Sequence, residues 1–145
     1  MVKLKECKHN SENQAIEKLP LSTKVYIPLS QHLGKMCLSL VKPGDVVLRG
    51  QKIASIEAHV TSPIHASLSG KVAGIQEWPH PVLGRCKAVV IESDPSEAQE
   101  VKNLMSEAEV VNLTAERIRE IVFESGIVGM GGASFPTHIK LNPPK

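Results

Sequence analysis

Between residues 20 and 94 the chain is broken repeatedly by glycine and proline, and the pieces left between the breaks are short and rich in β-branched residues. The pieces are 24–29, 37–41, 46–48, 52–57, 71–76 and 87–92. A helix interior loses about 1 kcal/mol at each glycine and about 3 kcal/mol at each proline, so helices of ordinary length do not fit this texture. Short runs bounded by turn residues predict an all-β unit, a sandwich or a small barrel.

The clearest turn lies at Pro43-Gly44-Asp45, between Val41-Lys42 and Val46-Val47-Leu48. Proline presets the first turn angle, and glycine can take a positive φ at the second. Gly50 allows another tight bend nearby, so two strands fold back on each other. The pattern V-x-x-G-D-x-V-x-x-G-Q-x-I resembles the lipoyl/biotinyl-type barrel-sandwich hybrid fold. Residues 62–72, Ser-Pro-Ile-His-Ala-Ser-Leu-Ser-Gly-Lys-Val, take the place of its A-P-x-x-G-like segment. Covalent carriers of that fold need a lysine at the hairpin tip between the two segments. Residues 56–61 read Ile-Glu-Ala-His-Val-Thr, without one, so the expected role is packing or docking.

A chain of 145 residues has the size of one ordinary domain, and 41% hydrophobic content suffices for a core. With 22% charged residues it is neither a disordered tail nor a coiled coil. Cys7, Cys37 and Cys86 are odd in number and form no C-x-x-C, which argues against a disulfide framework and points to a reduced setting. Residues 1–95 hold 12 Lys/Arg against 8 Asp/Glu, and residues 96–145 hold 5 against 7. Neither half approaches the basic stripe of a nucleic-acid binder, and four aromatic residues offer little for base stacking. No apolar run nears the 18 or so residues of a membrane span. Residues 1–19 read as a polar leader without the apolar region of a signal peptide.

Residues 96–125 change character, with no glycine or proline and seven carboxylates. Val101, Leu104, Met105 and Ala108 recur at helical spacing behind a candidate cap at Ser96. A second helix begins at Thr114, carries Glu116 in its first turn, and presents Ala115, Ile118, Ile121 and Val122 on one face. Gly126 supplies its left-handed stop. The loop that follows, residues 126–140, contains Gly129, Gly131 and Gly132. Dense glycine lets backbone approach a ligand and aim successive N–H groups at an anion, and Lys140 could add positive charge. It is neither a Walker loop nor a dinucleotide fingerprint. A helix cap running into a flexible loop explains the same residues.

Taken in order, Ile27-Pro28-Leu29-Ser30-Gln31-His32, Ser62-Pro63-Ile64-His65-Ala66-Ser67, a helix, and Gly129-Met130-Gly131-Gly132-Ala133-Ser134-Phe135-Pro136-Thr137 closely resemble the N-terminal part of the C subunit of Rnf-type (Rsx) electron transport complexes. The resemblance covers about residues 19–145. It implies a mainly β architecture with some α: a barrel-sandwich hybrid at 20–95, then at 96–145 a helical segment and the Gly-rich start of an incomplete α/β flavin/NADH-binding domain. It further implies a peripheral protein on the cytoplasmic side of the membrane, partnered by the other subunits and by ferredoxin. Electrons would pass between NADH and ferredoxin through FMN and 4Fe-4S clusters, coupled to ion translocation. Gly129, Gly131 and Gly132 match the family's backbone-approach glycines, and Lys140 matches the lysine near the flavin phosphate. The cysteine quartets for clusters are absent here, so no metal ligand and no catalytic residue is expected. One loop cannot enclose an isoalloxazine ring, so this chain alone is expected to hold neither FMN nor a cluster and to be inactive. Where the family usually has glycine this chain has Ser134, which would be strained if φ is positive. The alternatives are a purely non-catalytic docking module, a flavin-dependent cobalamin reductase, or a Na⁺-pumping quinone reductase subunit.

Among other residues, His32, His59, His65, His80 and His138 lack ligand spacing for a metal. His65 is expected to bond backbone in a turn, Cys37 and Cys86 to be buried as small apolar groups, and Trp78-Pro79-His80-Pro81 to form a hairpin tip.

Overall fold

The computed structural model describes residues 9–17, 20–94, 105–130 and 132–143. Seven strands run β1 (Lys24–Pro28), β2 (Leu38–Ser39), β3 (Val46–Val47), β4 (Lys52–Ser55), β5 (Ile64–His65), β6 (Gly70–His80) and β7 (Gly84–Ser93). They form a four-stranded sheet in the order β1-β7-β6-β3 and a three-stranded sheet in the order β2-β4-β5, all antiparallel. The inner faces of both sheets close on one apolar cluster, in which Val47, Ile53, Val72, Val89 and Ile91 are almost wholly buried. The barrel-sandwich expectation therefore holds.

The two glycine turns are what make so compact a sandwich possible. Gly44 has φ 96°, the Asp45 N–H donates to the Lys42 carbonyl, and the Asp45 carboxylate accepts from the Lys42 N–H at 2.9 Å. Gly50 has φ 88°, and its N–H donates to Ala66 while the Ala66 N–H donates back to Gln51. The Gly50 pair ties that bend to the segment after β5, and the Gly44 N–H ties the first turn to the Val72 carbonyl on β6.

Sequence runs underestimate the long hairpin. β6 and β7 extend to 11 and 10 residues, and Trp78, Pro79 and His80 lie inside β6; the tip is residues 81–83. Trp78 stacks on Tyr26 across β7 at 3.6 Å between centroids, and that packing continues the strand past the point where the apolar alternation fades. His80 then closes the tip: its Nδ1 accepts from the Val82 and Leu83 N–H groups, and its Nε2 donates to the Ser30 carbonyl at 2.9 Å. β5 is missed by the sequence runs because two residues carry no periodicity. It places His65 in a strand and not in a turn.

Three helices follow: α1 (Glu107–Val111), α2 (Ala115–Glu124) and α3 (Thr137–Lys140). α1 begins behind a reciprocal capping box of Ser106 and Glu109, which leaves Met105 outside the helix and Ala108 within it. Ser96, Val101 and Leu104 lie outside the described residues. α2 begins where expected, with the Thr114 hydroxyl accepting from the Arg117 N–H. It ends at Gly126 (φ 67°), where the Gly126 N–H reaches the Phe123 carbonyl and the Ile127 N–H reaches that of Val122. This paired stop is the Schellman arrangement, and it needs the left-handed glycine.

Candidate functional site

After α2 the chain makes a loop that closes at its base. The Gly129 N–H donates to the Phe135 carbonyl and the Thr137 N–H to that of Ile127, both at 3.0 Å, with a bridge between Val128 and Pro136. Pro136 is fully buried at this neck. Closing the neck returns the chain so that α3 lies against the loop and brings Lys140 back over Gly129. A Cβ at residue 129 would stand 2.5 Å from the Lys140 Nζ, so the missing side chain is what admits the amine. Of the residues singled out in the sequence, Gly129 and Lys140 are thus brought together. A Cβ on Gly132 would meet open space, so no packing in this structure requires glycine there. Gly131 lies outside the described residues.

Ser134 has φ 49°, the single non-glycine residue with positive φ among those described. An L-residue in that region costs on the order of 1 kcal/mol more than glycine, so the loop holds a serine in a glycine conformation.

The loop faces the sandwich across a cleft of about 780 Å³. One wall is Tyr26 with the 30–34 segment, a second is the tip at Val82 and Leu83, and the third is Gly132-Ala133-Ser134. The Leu33 N–H donates to the Ala133 carbonyl at 3.1 Å and ties the third wall to the first. Gly126 packs so closely that a Cβ there would lie 2.5 Å from the Pro63 carbonyl and 2.9 Å from the His65 ring. Lys52 on β4 pairs with Glu124 at the end of α2. The 62–65 string is thus a seat for the helix end.

Behind the cleft is a buried polar knot. His32 Nε2 accepts from the Ser62 N–H at 3.1 Å, which leaves the ring proton on Nδ1 to donate to the Leu33 carbonyl at 3.1 Å. Cys37, buried as expected, donates to the Ser62 carbonyl at 3.3 Å. Burial pushes its thiol above the ordinary value, with the Thr61 hydroxyl acting against it, so it is a poor nucleophile. Cys86 is buried too. On the far side, His138 packs edge-on against Phe123 at 4.8 Å, and its Nδ1 is buried without a partner among the described residues. Burial, and secondarily charge repulsion from His32, lowers its pKa from the ordinary 6.5. No group of three or more metal-ligating side chains occurs among the described residues.

Fold and loop together define a class: a barrel-sandwich module that holds a glycine loop and its lysine on one flank. The sequence profile of the RnfC barrel sandwich hybrid domain matches residues 2–96, and the chain belongs to the RnfC family. The C subunit of the proton-translocating ferredoxin:NAD(+) oxidoreductase complex of Clostridium ljungdahlii is 42% identical, over 96% of this chain and 30% of that protein. The C subunit of the Na(+)-translocating ferredoxin:NAD(+) oxidoreductase complex of Acetobacterium woodii is also 42% identical, over 83% of this chain and 27% of its own length. The corresponding protein of the ion-translocating oxidoreductase complex of Vibrio cholerae is 35% identical, over 94% and 18%. The chain therefore spans less than a third of the length of these relatives.

Proposed function

We propose that this chain is the N-terminal portion of an RnfC protein, which passes electrons between NADH and ferredoxin within an ion-translocating membrane complex. The names and identities of its relatives support the reading. No helix among the described residues is long and apolar enough to cross a membrane, which fits peripheral attachment. The protein sits on the cytoplasmic side and partners the other subunits and ferredoxin. Its 4Fe-4S clusters are ligated by parts of the protein that these residues do not include.

The observation that carries the flavin part of the reading is the seating of Lys140 Nζ over Gly129. A cation lying on bare backbone at a loop neck fits the phosphate end of FMN. The fit is to the phosphate, and enclosure of the ring falls to further parts of the protein. Bound there, the flavin would accept hydride from NADH and release single electrons. What these residues do is bind and orient. Lys140 neutralises phosphate charge, Gly129 gives the lysine room, and the neck bonds at Gly129 and Thr137 fix the base of the loop.

Full-length protein purified under gentle conditions should carry FMN near stoichiometry, and Lys140→Met should lower retention at least about tenfold, the change expected when one charge-assisted bond is removed. Unchanged retention in Lys140→Met would contradict the assignment of that residue. A second reading, in which the sandwich also docks the protein to a neighbour, is favoured by the exposure of Val82 and Leu83 at the tip.

A further inference from the structure

We propose that His32 is a positioning residue that carries a hydrogen-bond relay from the barrel core to the glycine loop. Each link has its own donor and acceptor. The Ser62 N–H, in the segment that seats the end of α2, donates to His32 Nε2. His32 Nδ1–H donates to the Leu33 carbonyl. The N–H of Leu33 then donates to the Ala133 carbonyl in the loop. His32 is 9% exposed, so its ring bonds cannot be exchanged cheaply for water, and both of its nitrogens are committed.

The relay closes a circuit. Gly34 turns the chain immediately after it with φ 130°, so close to Val60 that a Cβ would stand 2.2 Å from the Val60 carbonyl. The Lys35 N–H donates to that same carbonyl at 3.2 Å. Segment 30–35 is therefore clamped to segment 60–62 on one side and reaches the loop on the other. The same Ser62-to-His65 stretch meets Gly126 at the far end of the loop. Two strings separated by 30 residues thus hold both ends of residues 126–133, and His32 is the part that joins them. Its consequence for cofactor binding rests on the flavin reading above; its consequence for loop order does not.

The test uses the full-length protein with His32→Gln and His32→Asn. Glutamine places an acceptor near the Nε2 position and keeps the Ser62 link only. Asparagine places a donor near Nδ1 and keeps the Leu33 link. Hydrogen exchange at the Leu33, Gly129 and Thr137 amides should accelerate about tenfold in both variants, the effect of one lost buried hydrogen bond, and at the Ser62 amide in His32→Asn only, with the β7 amides unchanged in both. Acceleration at the loop amides in only one variant, or in neither, overturns the relay. Independently of folding of the variants, long-range ¹H–¹⁵N spectra of the native protein should show the His32 proton on Nδ1; a proton on Nε2 overturns it. FMN content separates the two claims. Faster loop exchange with FMN content unchanged supports positioning and removes only its consequence for cofactor binding, whereas unchanged exchange removes positioning whatever the flavin does.

Discussion

The β sandwich and the segment from α1 to α3 hold their shapes by different means. In the sandwich, whole side chains vanish from solvent, Val47, Ile53, Val89 and Ile91 among them. In α1, α2 and α3 no residue is buried at all. Ile118, on the apolar face of α2, remains 42% exposed. What orders the helical segment is local: a capping box at Ser106, a hydroxyl cap at Thr114, a Schellman stop at Gly126, and the neck of the loop. Caps contribute about 1 kcal/mol each, far less than a core. The second region therefore depends on the first through a few specific ties, and a site on the loop inherits its geometry from the sandwich.

Several substitutions would break or sharpen this contrast. Ile53→Ala should cost about 2–5 kcal/mol in urea unfolding, because it leaves a cavity in a closed core. Ile118→Ala should cost less than about 1 kcal/mol, and a comparable loss at both sites would erase the distinction. Gly34→Ala comes next, with an expected loss of about 1–3 kcal/mol or more, since the new Cβ meets backbone at a strained φ. A melt matching the native protein would show that the 30–35 clamp is loose.

The pH response should come from the helical side. His138 has a lowered pKa in the folded protein, so below 6.5 the unfolded chain binds the extra proton first. Stability is then full above 6.5 and falls as pH drops toward the folded value. His138→Phe should flatten that slope in thermal melts between pH 7 and the acid limb; an unchanged slope would assign it to another group. Smallest is Ser134→Gly, which relieves the positive φ at the expense of chain entropy and should change stability by no more than about 1 kcal/mol, in the favourable direction. A clear loss would mean the serine side chain is held by the loop.

Much of this was legible in the residues themselves. Pro43-Gly44 and Gly50 announce turns whose conformations only glycine takes readily, and Thr114 to Gly126 bounds α2 to the residue. The hairpin was harder. Its outer half alternates poorly, and the Tyr26–Trp78 stack and His80 bonds that sustain it are tertiary. The capping box of Ser106 and Glu109 that opens α1 is not legible in the helical spacing of the apolar residues, because it lies in polar side chains that meet only once the turn forms. Glycine density pointed to the loop and Lys140 to its cation. Lys140 meeting Gly129 requires the neck bonds, and pattern cannot show those. His32 stood in plain view within the Ser30-Gln31-His32 string. Its role depends on Ser62 and Ala133, residues far away in sequence.

The dependence of loop on sandwich is tested most directly by native-state hydrogen exchange on the full-length protein across rising denaturant. The Val89, Val90 and Ile91 amides should exchange only through global unfolding. Those of Gly129, Thr137 and α2 should open through a smaller unit that leaves the sandwich intact. If the loop and α2 amides instead exchange together with those of β7 at one common free energy, the two regions are a single cooperative unit and the account is wrong.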